Sequence, residues 1–200
     1  MYAAIELSSR EEGDMAVKIL IPMATGCEEL EAVTLINLFR RAGFQVITAG
    51  LEDERKPVKC ARGTIIVPET TLDNALTDSY DLVVLPGGQP GTNNLMDDQR
   101  IISLVQKMQQ QDRYIAAICA APMVLGKAGV LEGKSATSYP GCLDSMGLPG
   151  VDFVEDAVVT DGKIVTSRGP GTAMDFALKL IDIIAGSDVR DQVEGGLQRC

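Results

Sequence analysis

Apolar strand-like runs alternate with helix-like segments along this chain, and this order constrains the fold more than any other feature. The strand-like runs lie at residues 17–22, 45–50, 81–85 and 114–119. Residues 28–42 and 98–110 carry apolar side chains at helical spacing, and Gly43 ends the first of these patterns. Strand–helix–strand repetition is typical of a mostly parallel sheet covered by helices on both faces, so we predict an α/β fold.

The rest of the chain adds smaller elements to this frame. We predict edge strands at 58–60 and 64–67, a short helix at 122–128, a hairpin of 151–160 with 163–167, an amphipathic helix at 171–185, and one more short helix within 188–200. Asp161-Gly162 suits the tight turn of the hairpin because glycine adopts positive φ readily.

Composition limits the class of protein. A chain of 200 residues with 46% hydrophobic content fills one core, so we predict a single domain over residues 16–200 after a disordered N-terminal tail over residues 1–15. The net charge of −10 argues against nucleic acid as the main partner and against an anionic membrane surface. No apolar stretch reaches the length of a membrane span, and no signal peptide is recognisable, which predicts a cytoplasmic protein.

Cys119 is the first candidate for chemistry. It ends an apolar strand and is followed at once by Ala120-Ala121-Pro122, which predicts a strand that turns through the cysteine into a helix. Backbone N–H groups at a helix start favour a thiolate and can receive a developing oxyanion, so Cys119 is a candidate nucleophile. The alternative is a small apolar core residue, since free cysteine is often buried.

The chain has no histidine, which excludes a Cys-His dyad within it and any histidine metal ligand. Its five cysteines form no Cys-x-x-Cys pair, so neither a disulfide framework nor a zinc site is indicated. We predict no metal and no organic cofactor.

Four unusual segments follow predicted strands, where the sites of open parallel sheets gather. They are residues 25–31, 86–88, 119–122 and 168–172. The N–H groups of Gly88 and Ala120 would form an oxyanion hole beside Cys119, although two glycines also suit a plain turn. The 168–172 segment fits either an anion-binding terminus or a structural helix start.

An acid beside Cys119 would complete the site. Glu31 shares a helical stripe with Leu35 and Leu38 and therefore faces the core, whereas Glu28 and Glu29 also fit as acids that complement the helix dipole. Periodicity leaves the choice open, and we favour Glu31. A buried, protonated Glu31 would hydrogen-bond the thiolate and act as general acid or base.

Four motifs in order resemble the ThiJ/PfpI superfamily, and within it the branch of Parkinsonism-associated protein deglycases and glyoxalases and bacterial YajL. They are residues 28–31 (EELE), 85–88 (LPGG), 116–122 (AAICAAP) and 166–172 (TSRGPGT). The resemblance implies a flavodoxin-like three-layer α/β sandwich and a homodimer. It places Cys119 on the family's reactive cysteine, in a strained backbone conformation, and Glu31 on the acid that hydrogen-bonds it. Gly88 and Ala120 fall on the oxyanion-hole amides.

Further positions carry over from the same resemblance. Cys60 matches a second family cysteine near the dimer interface, and Arg62 matches an arginine near the pocket. Many relatives have a histidine where this chain has Tyr139, a departure that argues against peptidase activity. We name Arg62, Glu28 and Tyr139 as candidate substrate contacts, with a packed tyrosine as the alternative role of Tyr139.

The resemblance implies a cofactor-independent glyoxalase or deglycase that acts on methylglyoxal, glyoxal or their protein adducts through Cys119 and Glu31. Its partners would be small reactive carbonyl compounds or glycated proteins. The alternative is an oxidative-stress sensor or redox-regulated chaperone that signals through a Cys119 sulfinate, since an accessible thiolate is also what peroxide attacks.

Overall fold

The computed structural model describes residues 16–199, so the predicted tail over residues 1–15 lies outside the described residues. The strands are β1 (Lys18–Met23), β2 (Gln45–Gly50), β3 (Val58–Lys59), β4 (Ile65–Ile66), β5 (Thr70–Thr71), β6 (Leu82–Leu85), β7 (Tyr114–Ile118), β8 (Ser135–Ala136), β9 (Asp152–Phe153), β10 (Val158–Asp161) and β11 (Ile164–Ser167). The helices are α1 (Glu29–Arg41), α2 (Leu72–Ala75), α3 (Gly91–Asp97), α4 (Gln99–Gln110), α5 (Pro122–Lys127), α6 (Ala173–Ala185) and α7 (Ser187–Gly195).

Seven of these strands form one central sheet in the order β10-β11-β7-β6-β1-β2-β5. Every neighbouring pair is parallel except β10 with β11. The antiparallel pair is the predicted hairpin, but its two-residue turn is Gly162-Lys163, because Asp161 still pairs with Ile164. The α/β prediction with a mostly parallel sheet is confirmed.

Helices cover both faces of this sheet because the buried residues of its strands alternate between two apolar clusters. In β1, Ile19 and Ile21 pack with α1 and α6, whereas Leu20 packs with α2, α4 and α5 on the other face. The result is the three-layer, flavodoxin-like sandwich that the resemblance implied.

Several short elements differ from the sequence prediction. The predicted strand at 151–160 is interrupted: β9 pairs with β8 outside the central sheet, and the chain leaves this pairing before β10 begins. The predicted helix at 171–185 begins later, since Pro170–Thr172 form a 3₁₀ turn before α6. Neither α2 nor α3 was predicted, because helices of four and seven residues are too short to establish a period.

No helix within residues 16–199 combines the length and apolar character that a membrane span requires. The cytoplasmic location stays a prediction.

Candidate active site

Three loops meet at the carboxyl edge of the sheet, after the adjacent strands β1, β6 and β7. The loop after β1 leads into the first turn of α1, which carries Glu31. The loop after β6 contains Gly87 and Gly88, and the turn after β7 contains Cys119. Convergence at this edge follows from the parallel pairing, which places equivalent strand ends side by side. The fourth segment, at 168–172, follows β11 and forms a 3₁₀ turn in which Thr172 Oγ1 accepts a hydrogen bond from the Gly169 N–H at 3.1 Å.

Cys119 sits on a sharp turn between β7 and the helical segment that leads into α5. Its φ is +63°, a left-handed conformation that is uncommon for a residue with a side chain. Two hydrogen bonds hold it: its N–H donates to the Ser167 carbonyl at 2.9 Å, and its carbonyl accepts from the Tyr139 N–H at 2.8 Å. The backbone at Cys119 therefore has the strained form that the resemblance implied, and the side chain is 9% exposed.

The surroundings of Cys119 act on its thiol pKa in opposite directions. Burial and the negative charge of Glu31 raise its pKa to about 12, while the backbone N–H groups of Ala120 and Gly88 donate toward the sulfur and lower it. The net direction is opposite to the one expected from a helix start alone. The reason is that desolvation and the neighbouring carboxylate outweigh two amide hydrogen bonds.

Glu31 is fully buried on the inward stripe of α1. Its Oε2 accepts a hydrogen bond from the Gly87 N–H at 2.8 Å, whereas its buried Oε1 has no hydrogen-bond partner of ordinary geometry within the described residues. Burial raises the pKa of Glu31 to about 7, against the lowering effects of the Gly87 amide and the Cys119 thiol, and the charge of Glu28 raises it further. A carboxyl of this kind exchanges its proton near neutral pH.

Cys119 and Glu31 are thus an interacting pair, because each shifts the pKa of the other. The ionised carboxylate opposes a thiolate by its charge. A protonated Glu31 removes that charge and offers a hydrogen-bond donor to the sulfur. Transfer of the thiol proton to Glu31 is therefore the route by which this site would form a nucleophile.

Gly87 and Gly88 let the β6 loop approach both partners. A Cβ on Gly87 would lie 2.7 Å from the Cys119 Cβ, and one on Gly88 would lie 2.6 Å from the Gly26 carbonyl oxygen and 2.7 Å from the Cys27 carbonyl carbon. Gly88 also has a φ of +91°. Sequence reasoning found Gly88 but missed that the Gly87 amide holds Glu31, although the second glycine of the pair was a visible signal.

We expect Gly88→Ala to lower the free energy of unfolding by about 2–4 kcal/mol, because the new methyl group meets backbone atoms that have no room to move. Gly63→Ala is the matched control: Gly63 has a φ of +99° but no atom within 4 Å of the position that a new Cβ would take, so we expect only the conformational cost of about 1 kcal/mol. Urea unfolding measures both. Equal losses in the two variants would contradict close packing at Gly88.

Glu28 and Glu29 have roles other than contact with the thiol. Glu28 is 7% exposed and forms an ion pair with Arg62, with Nε 3.7 Å from Oε2. Both Glu29 carboxylate oxygens accept hydrogen bonds from the Arg62 N–H, at 3.2 and 3.0 Å, and Oε1 also accepts from the Thr64 N–H at 3.2 Å. The Cys119 thiol acts on the pKa of Glu31, while Glu29 fixes the β3–β4 hairpin.

Arg62, Tyr139 and Cys60 occupy different environments. The Arg62 side chain is 80% exposed beyond its contact with Glu28. Tyr139 is 51% exposed, with its ring against Gly169, so a substrate contact and a packed tyrosine both stay predictions. Cys60 is buried, and its sulfur faces the sulfur of Cys27, a neighbour that the sequence did not suggest.

The fold and this site define a class: α/β sandwich proteins that carry a buried cysteine on a strained strand-to-helix turn beside a glutamate. Comparison with known proteins specifies the family. The DJ-1/PfpI family profile matches residues 17–183. The chain therefore belongs to the DJ-1/PfpI family, as the sequence motifs predicted.

Individual relatives agree with this assignment. The chain is 42% identical over 184 residues to the Drosophila melanogaster protein dj-1beta, covering 92% of this chain and 97% of the relative. It is 35% identical over 170 residues to the glutathione-independent glyoxalase DJR-1.2 of Caenorhabditis elegans, covering 85% and 89%. The crystal structure of Drosophila melanogaster DJ-1beta superposes with a TM-score of 0.88 at 41% identity, covering 93% of this chain and 100% of that one.

Proposed function

We propose that this protein is a cofactor-independent glyoxalase that converts methylglyoxal or glyoxal to the hydroxy acid through Cys119 and Glu31. The observation that carries the proposal is the buried pair itself, in which an acid with a pKa of about 7 adjoins a thiol that also faces two backbone amides. A glyoxalase among the relatives supports this class of chemistry.

The first step is addition of the thiol to the aldehyde. Glu31 as carboxylate takes the thiol proton, and the Cys119 sulfur forms a bond to the aldehyde carbon. The carbonyl oxygen becomes an oxyanion, which the amides of Gly88 and Ala120 stabilise, and then receives the proton from Glu31. The product is a hemithioacetal attached to Cys119.

The second step moves hydrogen between the two substrate carbons. Glu31 removes the proton from the former aldehyde carbon, which gives an enediolate with its charge on the neighbouring oxygen. Glu31 then returns the proton to the neighbouring carbon, while the hydroxyl proton of the former aldehyde carbon passes to the neighbouring oxygen. This internal oxidation and reduction leaves a thioester on Cys119, which water hydrolyses to release lactate from methylglyoxal and restore the thiol. No external oxidant or reductant enters the balance.

We propose Arg62, Glu28 and Tyr139 as substrate contacts around this centre. Their support is position: the Tyr139 backbone binds Cys119, and the exposed Arg62 guanidinium reaches Glu28, which lies three residues before Glu31. Because the Arg62 and Tyr139 side chains are open to solvent, larger adducts such as glycated proteins are candidate substrates as well.

The pH dependence of turnover tests the role of Glu31. Since Glu31 must be ionised to accept the thiol proton, we expect kcat/KM for methylglyoxal to rise about tenfold per pH unit below pH 7 and to level off above it. Glu132→Gln, which removes an exposed carboxyl, should leave the profile unchanged. A profile that is flat from pH 5 to 9 would contradict a base with this pKa.

We also propose that two copies of the chain associate through one apolar patch, which consists of Leu30 and Val33 on α1 together with Ile65 and Val67 on and after β4. These side chains are 49–65% exposed. The two pairs of side chains lie on neighbouring segments, because Glu29 ties α1 to the β3–β4 hairpin. Exposed apolar patches are typical of protein interfaces.

Introducing charge into this patch is expected to separate the copies. Leu30→Glu combined with Val33→Glu places two carboxylates on the α1 face, and sedimentation should then give the mass of one chain at concentrations where the wild type gives two. Ser103→Glu with Gln110→Glu, on the exposed face of α4, adds the same charge elsewhere and should leave the dimer intact. Dimers in both variants would refute this patch as the interface.

A sensor function is the second candidate, and one observation favours it. The amides of Ala120 and Gly88 that would hold an oxyanion are equally placed to hold an oxygen of a Cys119 sulfinate, and a neutral Glu31 would donate a hydrogen bond to another. Replacing Glu31 separates the two functions, because proton transfer between carbon atoms needs its carboxylate and oxidation of the thiol does not.

A further inference from the structure

Two buried cysteines outside the Cys119 site face each other. The sulfur atoms of Cys27 and Cys60 lie 3.6 Å apart, and both side chains are almost fully buried. Cys27 lies in the loop between β1 and α1, directly before Glu28, whereas Cys60 follows β3, 33 positions later in the chain. Neither thiol has a role in the chemistry proposed for Cys119.

Backbone hydrogen bonds on both sides of this pair hold the two segments in register. The Gly26 N–H donates to the Lys59 carbonyl at 2.8 Å, and the Ala61 N–H donates to the Cys27 carbonyl at 2.8 Å. Because a disulfide bond is about 2.05 Å long, the two sulfurs need to approach by about 1.5 Å. Formation of the bond therefore requires side-chain rotation and small backbone shifts that add up to this distance.

We propose that Cys27 and Cys60 form a reversible intramolecular disulfide by exchange with a diffusible low-molecular-weight disulfide such as oxidised glutathione. The Cys60 thiolate attacks one sulfur of the small disulfide, which forms a mixed disulfide and releases one small thiolate. The Cys27 thiolate then attacks the Cys60 sulfur, forms the Cys27–Cys60 bond and releases the second small thiolate. Two protein protons are lost and two small thiols are formed, so the small disulfide is reduced as the protein pair is oxidised.

The order of the two attacks follows from the surroundings of each thiol. Burial and the charge of Glu29 raise the pKa of both thiols, and the charge of Glu28 also raises that of Cys60. The contact between the two sulfurs acts in opposite directions, since its hydrogen bond lowers the pKa of Cys60 while the charge and hydrogen bond of Cys60 raise that of Cys27. Cys60 also precedes the exposed hairpin tip at Arg62 and Gly63, where opening is easiest. Cys60 is therefore the attacking thiol and Cys27 the resolving one.

The Cys27–Cys60 disulfide would restrain the loop between β1 and α1, which contacts the active site. The Glu28 N–H donates to the Gly87 carbonyl at 2.8 Å, and Gly88 packs against the peptide unit between Cys27 and Glu28. A crosslink from Cys27 to Cys60 would restrain the start of α1 and, through it, the β6 loop. Because the bond closes a loop of more than 30 residues, we expect the oxidised form to melt about 5–10 °C above the reduced form.

Peptide mapping in a Cys119→Ala background tests the pair without involving the proposed catalytic thiol. The protein is equilibrated in buffers of reduced and oxidised glutathione, its free thiols are alkylated, and it is digested with trypsin without reduction. Cleavage after Lys18 and Arg40 isolates Cys27 in residues 19–40, and cleavage after Lys59 and Arg62 isolates Cys60 in residues 60–62. We expect a crosslinked mass of these two peptides in the oxidising buffer and its loss on return to reducing buffer.

Matched variants make the outcome decisive. Cys142→Ala should keep the crosslink and the rise in melting temperature, whereas Cys60→Ala should lose both. The wild-type chain, mapped in the same way, serves if a variant fails to fold. The proposal is overturned if the folded protein in fully oxidising buffer yields both peptides alkylated, or Cys60 joined only to glutathione. Because this readout contains no turnover, it stands or fails separately from the glyoxalase proposal.

Discussion

Replacing Glu31 with glutamine is expected to lower methylglyoxal turnover by at least about 100-fold while making the folded protein more stable at pH 8. Glutamine keeps the shape of the side chain and can still accept the Gly87 hydrogen bond, but it neither takes the thiol proton nor carries a buried charge. Activity and stability therefore change in opposite directions. Such opposition is expected when a buried group is retained for its chemistry at the expense of stability.

The stability effect has a sign set by the Glu31 pKa. The pKa rises from 4.5, the ordinary value, to about 7 in the folded chain, so the folded state binds the proton more tightly than the unfolded state. The contribution of Glu31 to wild-type stability is full below pH 4.5 and falls as pH rises, by about 3 kcal/mol once pH exceeds 7. Glutamine does not ionise, so the free energy of unfolding of Glu31→Gln relative to wild type should rise by about 3 kcal/mol between pH 4 and pH 8.

Urea unfolding of both proteins at pH 4 and pH 8 measures this difference. Glu29→Gln is the control of opposite sign: although partial desolvation raises the Glu29 pKa, hydrogen bonds from Arg62 and Thr64 outweigh it and lower the pKa. That carboxylate stabilises the fold above its unfolded pKa, so its variant should lose stability relative to wild type as pH rises. If Glu31→Gln also lost stability relative to wild type as pH rises, the result would contradict a buried Glu31 whose ionisation destabilises the fold.

The same variant separates the two proposed functions. Peroxide oxidises Cys119 without needing a base to move hydrogen between carbon atoms, so mass spectrometry should find much of this oxidation retained in Glu31→Gln. Full glyoxalase turnover in the variant would rule out the proposed mechanism. Stable sulfinate at modest peroxide, in a wild type that lacks turnover, would favour the sensor.

The second large effect is expected at Cys119. Cys119→Ala removes the proposed nucleophile and should lower turnover by at least about 1000-fold, whereas Cys142→Ala should leave turnover unchanged. Cys119→Gly should be equally inactive. The two inactive variants differ in the backbone, since glycine adopts the φ of +63° without strain and alanine does not.

We therefore expect Cys119→Gly to unfold with a free energy about 1 kcal/mol higher than Cys119→Ala. Urea unfolding at a single pH suffices for this comparison. An alanine variant as stable as the glycine variant would indicate that the turn at Cys119 relaxes when the thiol is removed, and that its left-handed conformation is not imposed by the hydrogen bonds to Ser167 and Tyr139.

Much of this architecture follows from local patterns in the sequence. The apolar run that ends at Cys119 and the small residues after it predict a strand-to-helix turn, and the stripe shared by Glu31 and Leu35 predicts a carboxyl that faces inward. Parallel pairing then brings the ends of β1, β6 and β7 together. These features depend on periodicity and topology, which a single sequence records.

Other features depend on distances that the sequence does not record. The helix start predicted a lowered Cys119 pKa, but depth of burial and the proximity of Glu31 reverse the direction. The partial exposure of Tyr139 also depends on its surroundings in the fold, which the sequence does not record. The pairing of Cys27 with Cys60 arises because the β1–α1 loop and the end of β3 are adjacent in space, a contact between segments of no local similarity.

The central claim is that the Cys119–Glu31 pair converts a dicarbonyl to a hydroxy acid without any added thiol. The most direct test incubates carbon-13-labelled methylglyoxal with the purified wild type, freed of glutathione and of contaminating glyoxalases, and follows the products by NMR. We predict lactate in many-fold excess over protein, with none formed by Cys119→Ala. Methylglyoxal that persists as its hydrate, or that is consumed only once per chain without lactate, would contradict the claim.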